Sequence, residues 1–198
     1  MRRILLFALL AAAVLSAAAP AEAQRRRYRE YDEHPSGFQG RTILSLHLGL
    51  SSPTGDFDNF FNSGLGVGGS IGYGISPDVL IGFEVSHHSF DGDLPGDDAN
   101  ITPMTFNVEY VVPVVGNVKP FLGGGLGAYR HHEAIEQLDG SIVEDTETAF
   151  GFNLGAGIAG RVGRQTLLGG GIRFHHVDAD RLPAANFFTF QAGLGFVL

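Results

Sequence analysis

From residue 42 to the end of the chain the sequence alternates with a period of two. One set of alternate positions is apolar, and the other is glycine and small polar residues. Successive side chains of a strand point to opposite faces, so this period specifies strands with two chemically different faces. Leu44, Leu46, Leu48 and Leu50 share one face; Leu65, Val67, Ile71, Tyr73 and Ile75 share another, against Gly66, Gly68, Ser70, Gly72 and Gly74. Val79, Ile81, Phe83 and Val85 oppose Leu80, Gly82, Glu84 and Ser86, and Met104, Phe106, Val108, Tyr110 and Val112 oppose Thr105, Asn107, Glu109 and Val111. Leu122, Leu126 and Ala128 oppose Phe121, Gly123, Gly125, Gly127 and Tyr129. Phe150, Phe152, Leu154, Ala156 and Ile158 oppose Gly151, Asn153, Gly155, Gly157 and Arg161. Leu168, Ile172 and Phe174 oppose Gly169, Gly171 and Arg173, and Phe188, Phe190, Ala192, Leu194, Phe196 and Leu198 oppose Thr189, Gln191, Gly193 and Gly195. A soluble sandwich buries its apolar faces and coats the outer ones with charge. Here the second face is glycine-rich and nearly free of lysine, which suits a narrow lumen, while the apolar face suits lipid.

The expectation is therefore an all-β chain, an eight-stranded antiparallel up-and-down transmembrane β-barrel over 42–198. Each segment is long enough for a tilted membrane strand of ~9–11 residues. Closure satisfies every backbone polar group, as lipid requires. Short turns at 76–78, 116–117 and 163–165 alternate with long acidic loops at 52–63, 90–100, 131–147 and 178–186. Bacterial outer-membrane barrels place short turns in the periplasm and long loops outside. Tyr73, Tyr110 and Phe196 then fall near the periplasmic ends of their strands, and Phe150, Phe174 and Phe188 near the outer ends, as two aromatic girdles. The 29 glycines of the 198 residues all lie beyond residue 23, which rules against a mostly helical chain.

Residues 1–23 have the form of a secretory signal peptide: Arg2 and Arg3, an apolar run from Ile4 to Ala19, then Ala21-Glu22-Ala23 as a small-x-small cleavage site. Cleavage after Ala23 takes the formal charge from −8 to −9, which argues against nucleic acid as a partner. Residues 24–41, polar and of mixed charge, read as a flexible periplasmic arm, whose Arg25, Arg26 and Arg27 could touch anionic headgroups. The absence of cysteine excludes disulfides, thiolate metal sites and cysteine nucleophiles.

The strand count, the loop asymmetry, the GGGLGAY stretch at 123–129 and the closing strand FFTFQAGLGFVL at 187–198 together resemble the eight-stranded outer-membrane β-barrel proteins of the OmpX and OmpA transmembrane-domain type. The resemblance covers about 42–198 and implies residence in a bacterial outer membrane. It also implies contact with lipid and lipopolysaccharide, and insertion by the barrel-assembly machinery through the last strand. Leu198 stands where that family more often ends on phenylalanine.

Gly64, Gly66 and Gly69 fit a dinucleotide fingerprint, but that motif needs a strand, a turn and a helix; here the glycines run into a strand. The stretch 173–186 resembles the catalytic region of barrel-shaped lipid A deacylases of the PagL type, with His176 as the base. Asp178 stands where that family has its nucleophilic serine. His87 and Ser89 give the His-x-Ser spacing on another strand. None of these makes a catalytic, cofactor-binding or metal site. The leading expectation is a non-enzymatic barrel serving envelope structure or surface interaction through acidic loops. A lipid A-modifying enzyme and a narrow channel or small-ligand conduit are the alternatives.

Three finer expectations follow. Glu84, Glu109, Arg161 and Arg173 face the lumen and form an ion-pair network. Fourteen acids in the four long loops, opposed only by Arg181, concentrate divalent cations that bridge lipopolysaccharide phosphates. His87-His88, His131-His132 and His175-His176 each close an upward strand at the outer rim. One of each pair (His88, His131 and His175) turns inward, a candidate metal-responsive mouth if the loops bring the rings together.

Overall fold

A computed structural model describes residues 37–92, 97–136, 141–180, 182 and 184–198. The expected leader and residues 24–36 of the arm lie outside these. Eight strands run β1 Thr42–Thr54, β2 Gly64–Gly74, β3 Val79–Asp91, β4 Asp98–Val111, β5 Val118–Glu136, β6 Ile142–Arg161, β7 Thr166–Asp178 and β8 Ala185–Val197. Each pairs antiparallel with its sequence neighbour, and β1 pairs with β8 from Ile43↔Val197 to Thr54↔Asn186, closing the barrel.

The register places every alternation as the sequence implies. Leu46, Leu48, Val67, Leu126 and Leu154 point outward and are 65%, 68%, 61%, 58% and 59% exposed, while the glycine-bearing face turns inward. Such a surface is stable against hydrocarbon and unstable against water, where each Å² of apolar area costs roughly 25 cal/mol.

Two expectations about connections change. The acidic stretch 131–147 is mostly strand: β5 and β6 continue pairing from His131↔Glu147 up to Glu136↔Ile142. Threonine, valine and isoleucine favour the pleated backbone, and pairing satisfies its polar groups above the membrane as well as within it. This hairpin outreaches its neighbour, because β6 meets β7 only from Phe150↔Asp178 downward. The stretch 52–63 contains instead a 3-10 turn, Gly55–Asn59, that folds inward and carries Phe57 with no exposed surface. Residues 37–41, assigned to the arm, pack on the barrel. The Phe38 amide donates to Pro77 O at 2.9 Å and the Gly40 amide to Gly74 O at 2.8 Å.

Candidate functional site

The lumen is the chemically richest part of the molecule, and it is filled in layers. At the short-turn end Ile43, Leu80, Val111 and Val197 form an apolar layer, with Phe38, Phe121 and Leu167 packed against it. At the opposite end Phe57, Phe61, Phe90, Ile101, Val177 and Phe187 form a second. Between them lie buried polar side chains, and alternation explains why one inward position per strand can carry each.

Arg173 of β7 reaches across to two strands. Its Nη1 donates to Glu84 Oε2 of β3 at 2.6 Å, and its Nη2 to Glu109 Oε1 of β4 at 3.4 Å. His47 Nε2 lies 3.8 Å from the other Glu84 oxygen. A buried charge is tolerated only when paired and hydrogen-bonded, and this arrangement supplies both. Arg161 does not join, contrary to expectation. It ends β6 beyond the lower apolar layer, is exposed, and donates from Nη1 to Arg164 O at 3.2 Å within the β6–β7 turn. Its parity is inward, but its height puts it in water. Below the cluster a cavity of about 50 Å³ opens among Ser45, Ser70, Glu84, Asn107 and Glu109.

Glycine makes room for these long side chains. A β-carbon at Gly151 would fall 2.6 Å from the Tyr129 ring, at Gly157 2.5 Å from Phe121, at Gly68 2.5 Å from His47 and at Gly66 2.6 Å from His88. The lumen of an eight-stranded barrel is only wide enough for side chains to fill, and these four large inward residues each sit over a glycine on a neighbouring strand.

The inward histidines are buried rather than placed at an open rim. His88 is held from both sides, Nδ1 by Ser51 Oγ at 2.8 Å and Nε2 by Ser86 Oγ at 3.0 Å. His175 stacks on Phe187 with ring centroids 4.5 Å apart and lies 5.3 Å from His88. Tyr129 OH is 3.3 Å from His175 Nδ1. His131 sits one layer higher, edge-on to Phe57 at 5.9 Å, with Nε2 2.9 Å from Glu133 Oε1. The metal-responsive mouth is therefore not assembled: among the described residues no three metal-ligating side chains converge.

The residues of the enzyme alternative face outward and stand apart. His87 Nδ1 lies 3.0 Å from Thr102 Oγ1, and Ser89 is exposed two residues along the same strand. His176, on β7 across the barrel, directs Nδ1 to Asn186 Oδ1 at 2.7 Å and rests its ring 5.1 Å from Phe152. Asp178 is exposed. The glycines from Gly64 open β2, with no helix after them.

Two features escaped the sequence reading. Phe57 and Phe61 signal a buried turn only as apolar residues within an acidic stretch. Glu147, counted there among the loop acids, instead accepts the Asp180 and Leu182 amides at 3.0 and 3.1 Å, and so folds the β7–β8 loop onto the hairpin.

The family model of the outer membrane protein beta-barrel domain matches residues 7–196. The chain belongs to this family. Its members reside in the bacterial outer membrane, which puts the apolar belt in lipid and the long connections outside. Neisserial surface protein A superposes with a TM-score of 0.61 at 18% identity, covering 80% of this chain and 99% of that one. Ail of Yersinia pestis, solved in complex with the heparin analogue sucrose octasulfate, gives 0.56 at 14% identity, covering 81% and 99%. OprG from Pseudomonas aeruginosa gives 0.54 at 11%, covering 83% and 98%. At these identities the likeness is one of fold. No curated protein matches the sequence.

Proposed function

We propose that this family member is a non-enzymatic, non-conducting barrel that contributes to envelope structure and surface interaction by displaying an acidic outer end. The observation that carries the reading is the filled lumen: two apolar layers with the Arg173 cluster held between them. An ion crossing such a barrel would have to displace packed aromatic side chains and break a desolvated ion pair. The exposed acids Asp56, Asp58, Asp91, Glu144, Asp178 and Asp180 crown the opposite end from Arg41, Lys119, Arg161 and Arg164. Carboxylates there repel a polysulfate such as the one bound to Ail, so we read the partners as divalent cations that bridge lipopolysaccharide phosphates. Export through a leader cleaved after Ala23, a periplasmic arm preceding the barrel, and recognition of β8 by the assembly machinery complete the proposal.

Planar-bilayer recording tests it. The purified protein should give no single-channel steps, and regular steps would overturn the closed reading. Lipid A mass analysis should be the same for wild type and for alanine variants of His87, Ser89 and His176. A wild-type-only mass shift would establish an enzyme instead.

A further inference from the structure

The outer wall of β3–β6 changes chemistry in steps that follow the ladder. Val85, Met104, Ala128 and Phe150 form one cross-strand row of apolar side chains. Two residues farther along each strand the row becomes His87, Thr102, Arg130 and Thr148. Val85 pairs with Met104 and His88 with Ile101, which sets His87 opposite Thr102, and Arg130 pairs with both Thr102 and Thr148. The next row is Ser89, Asn100, His132 and Thr146, and above it Asp91, Asp98 and Glu144 bring carboxylates. Each step is ~6.7 Å along the strand, and the first polar tier marks where the apolar wall of these four strands ends.

Arg130 is the centre of this tier. It is exposed, and among the described residues no carboxylate pairs with it. An arginine on the lipid-facing wall is tolerated near the interface and costs more toward the midplane. Its planar fork is suited to two oxygens of one anion. The flanking imidazoles are oriented by the next strand: His87 Nδ1 lies 3.0 Å from Thr102 Oγ1, and His132 Nδ1 2.8 Å from Thr146 Oγ1. With the hydroxyl donating to Nδ1, each ring keeps an Nε2–H to donate outward. Directly below Arg130, Ala128 leaves a notch between the larger Met104 and Phe150.

We propose that this wall binds the phosphate of an outer-leaflet lipid. Arg130 anchors the phosphate, His87 and His132 donate to its oxygens, and an acyl chain lies in the Ala128 notch. The acidic row above stops the phosphate from riding higher. The proposal rests on the membrane placement of the apolar belt, not on the reading of the acidic end.

Native mass spectrometry of the purified protein in EDTA tests it, with bisphosphorylated lipid A and its dephosphorylated form as probes. Chelation removes cation bridging at the rim, so a failure here leaves the loop reading untouched. The phosphorylated probe should be retained at least about tenfold better, the worth of one charge-assisted hydrogen bond. Arg130→Gln should abolish most of that preference, and His87→Gln with His132→Gln should reduce it several-fold. Arg164→Gln, in a turn at the other end, should leave it intact. Inorganic phosphate should fail to displace the lipid. Equal retention of the two probes, wild-type retention by Arg130→Gln, an equal loss in Arg164→Gln or displacement by inorganic phosphate would each overturn the proposal. Arg130 points away from the lumen, so its variant is expected to fold, and unheated gel mobility identical to wild type checks this.

Discussion

Arg173 is the one cation among the described lumen residues, and it faces two carboxylates. Replacing it with methionine keeps most of its volume and leaves the buried Glu84 and the part-buried Glu109 without their cation. Removing one member of a buried pair costs about 3–5 kcal/mol. Urea titration of the refolded protein should show Arg173→Met destabilised by about that amount, with Glu84→Gln and Glu109→Gln restoring much of it in the triple variant. No recovery would mean that the loss is one of packing, not of charge. At the same scale, a valine at Gly151 would run into the Tyr129 ring. Overpacking of this kind costs about 1–3 kcal/mol, which the same titration would read.

Among elements, the 3-10 turn Gly55–Asn59 closes the upper lumen through one side chain. Phe57 meets Phe61 at 4.8 Å and Phe90 at 5.2 Å and is fully buried, whereas Phe60, three residues on, is 57% exposed. Phe57→Ala should lower stability by about 3–5 kcal/mol and raise hydrogen exchange across 55–61. Phe60→Ala should stay within about 0.5 kcal/mol of wild type. Equal effects would mean that the turn does not plug the barrel. The β5–β6 hairpin shows the limit of reading loops from charge. Acidic composition marked 131–147 as outside the membrane, yet pairing continues over 131–136 and 142–147, because the ladder that closes the barrel also satisfies the backbone beyond it.

On the scale of the whole molecule the barrel wears an apolar belt outside and holds a buried ion-pair cluster between two apolar layers inside. Its unheated form should therefore keep a different gel mobility in detergent from the boiled form, because the barrel survives until heat breaks its closed ladder. An arginine at Leu126, mid-belt and outward, should cost about 2–4 kcal/mol in vesicle refolding. Arg130, two steps higher on the same strand face, is carried by the native protein. If Leu126→Arg were neutral, the belt would not lie in hydrocarbon.

The period of two is a property of each strand's own backbone, so the strands, their inward and outward sets and the antiparallel barrel were all legible in one dimension. Glu84, Glu109 and Arg173 were placed on the inner face by that parity alone. What parity cannot carry is height and the meeting of strands across the lumen, since both depend on the stagger at which the ring closes. Arg161 shares the inward parity of the cluster and still falls into water at the end of β6. His88 and His175 come from strands on opposite sides of the ring, yet their rings lie 5.3 Å apart because the lumen is that narrow. Phe57 leaves an acidic stretch to fill the space above them, a position that exists only once all eight strands have closed around it.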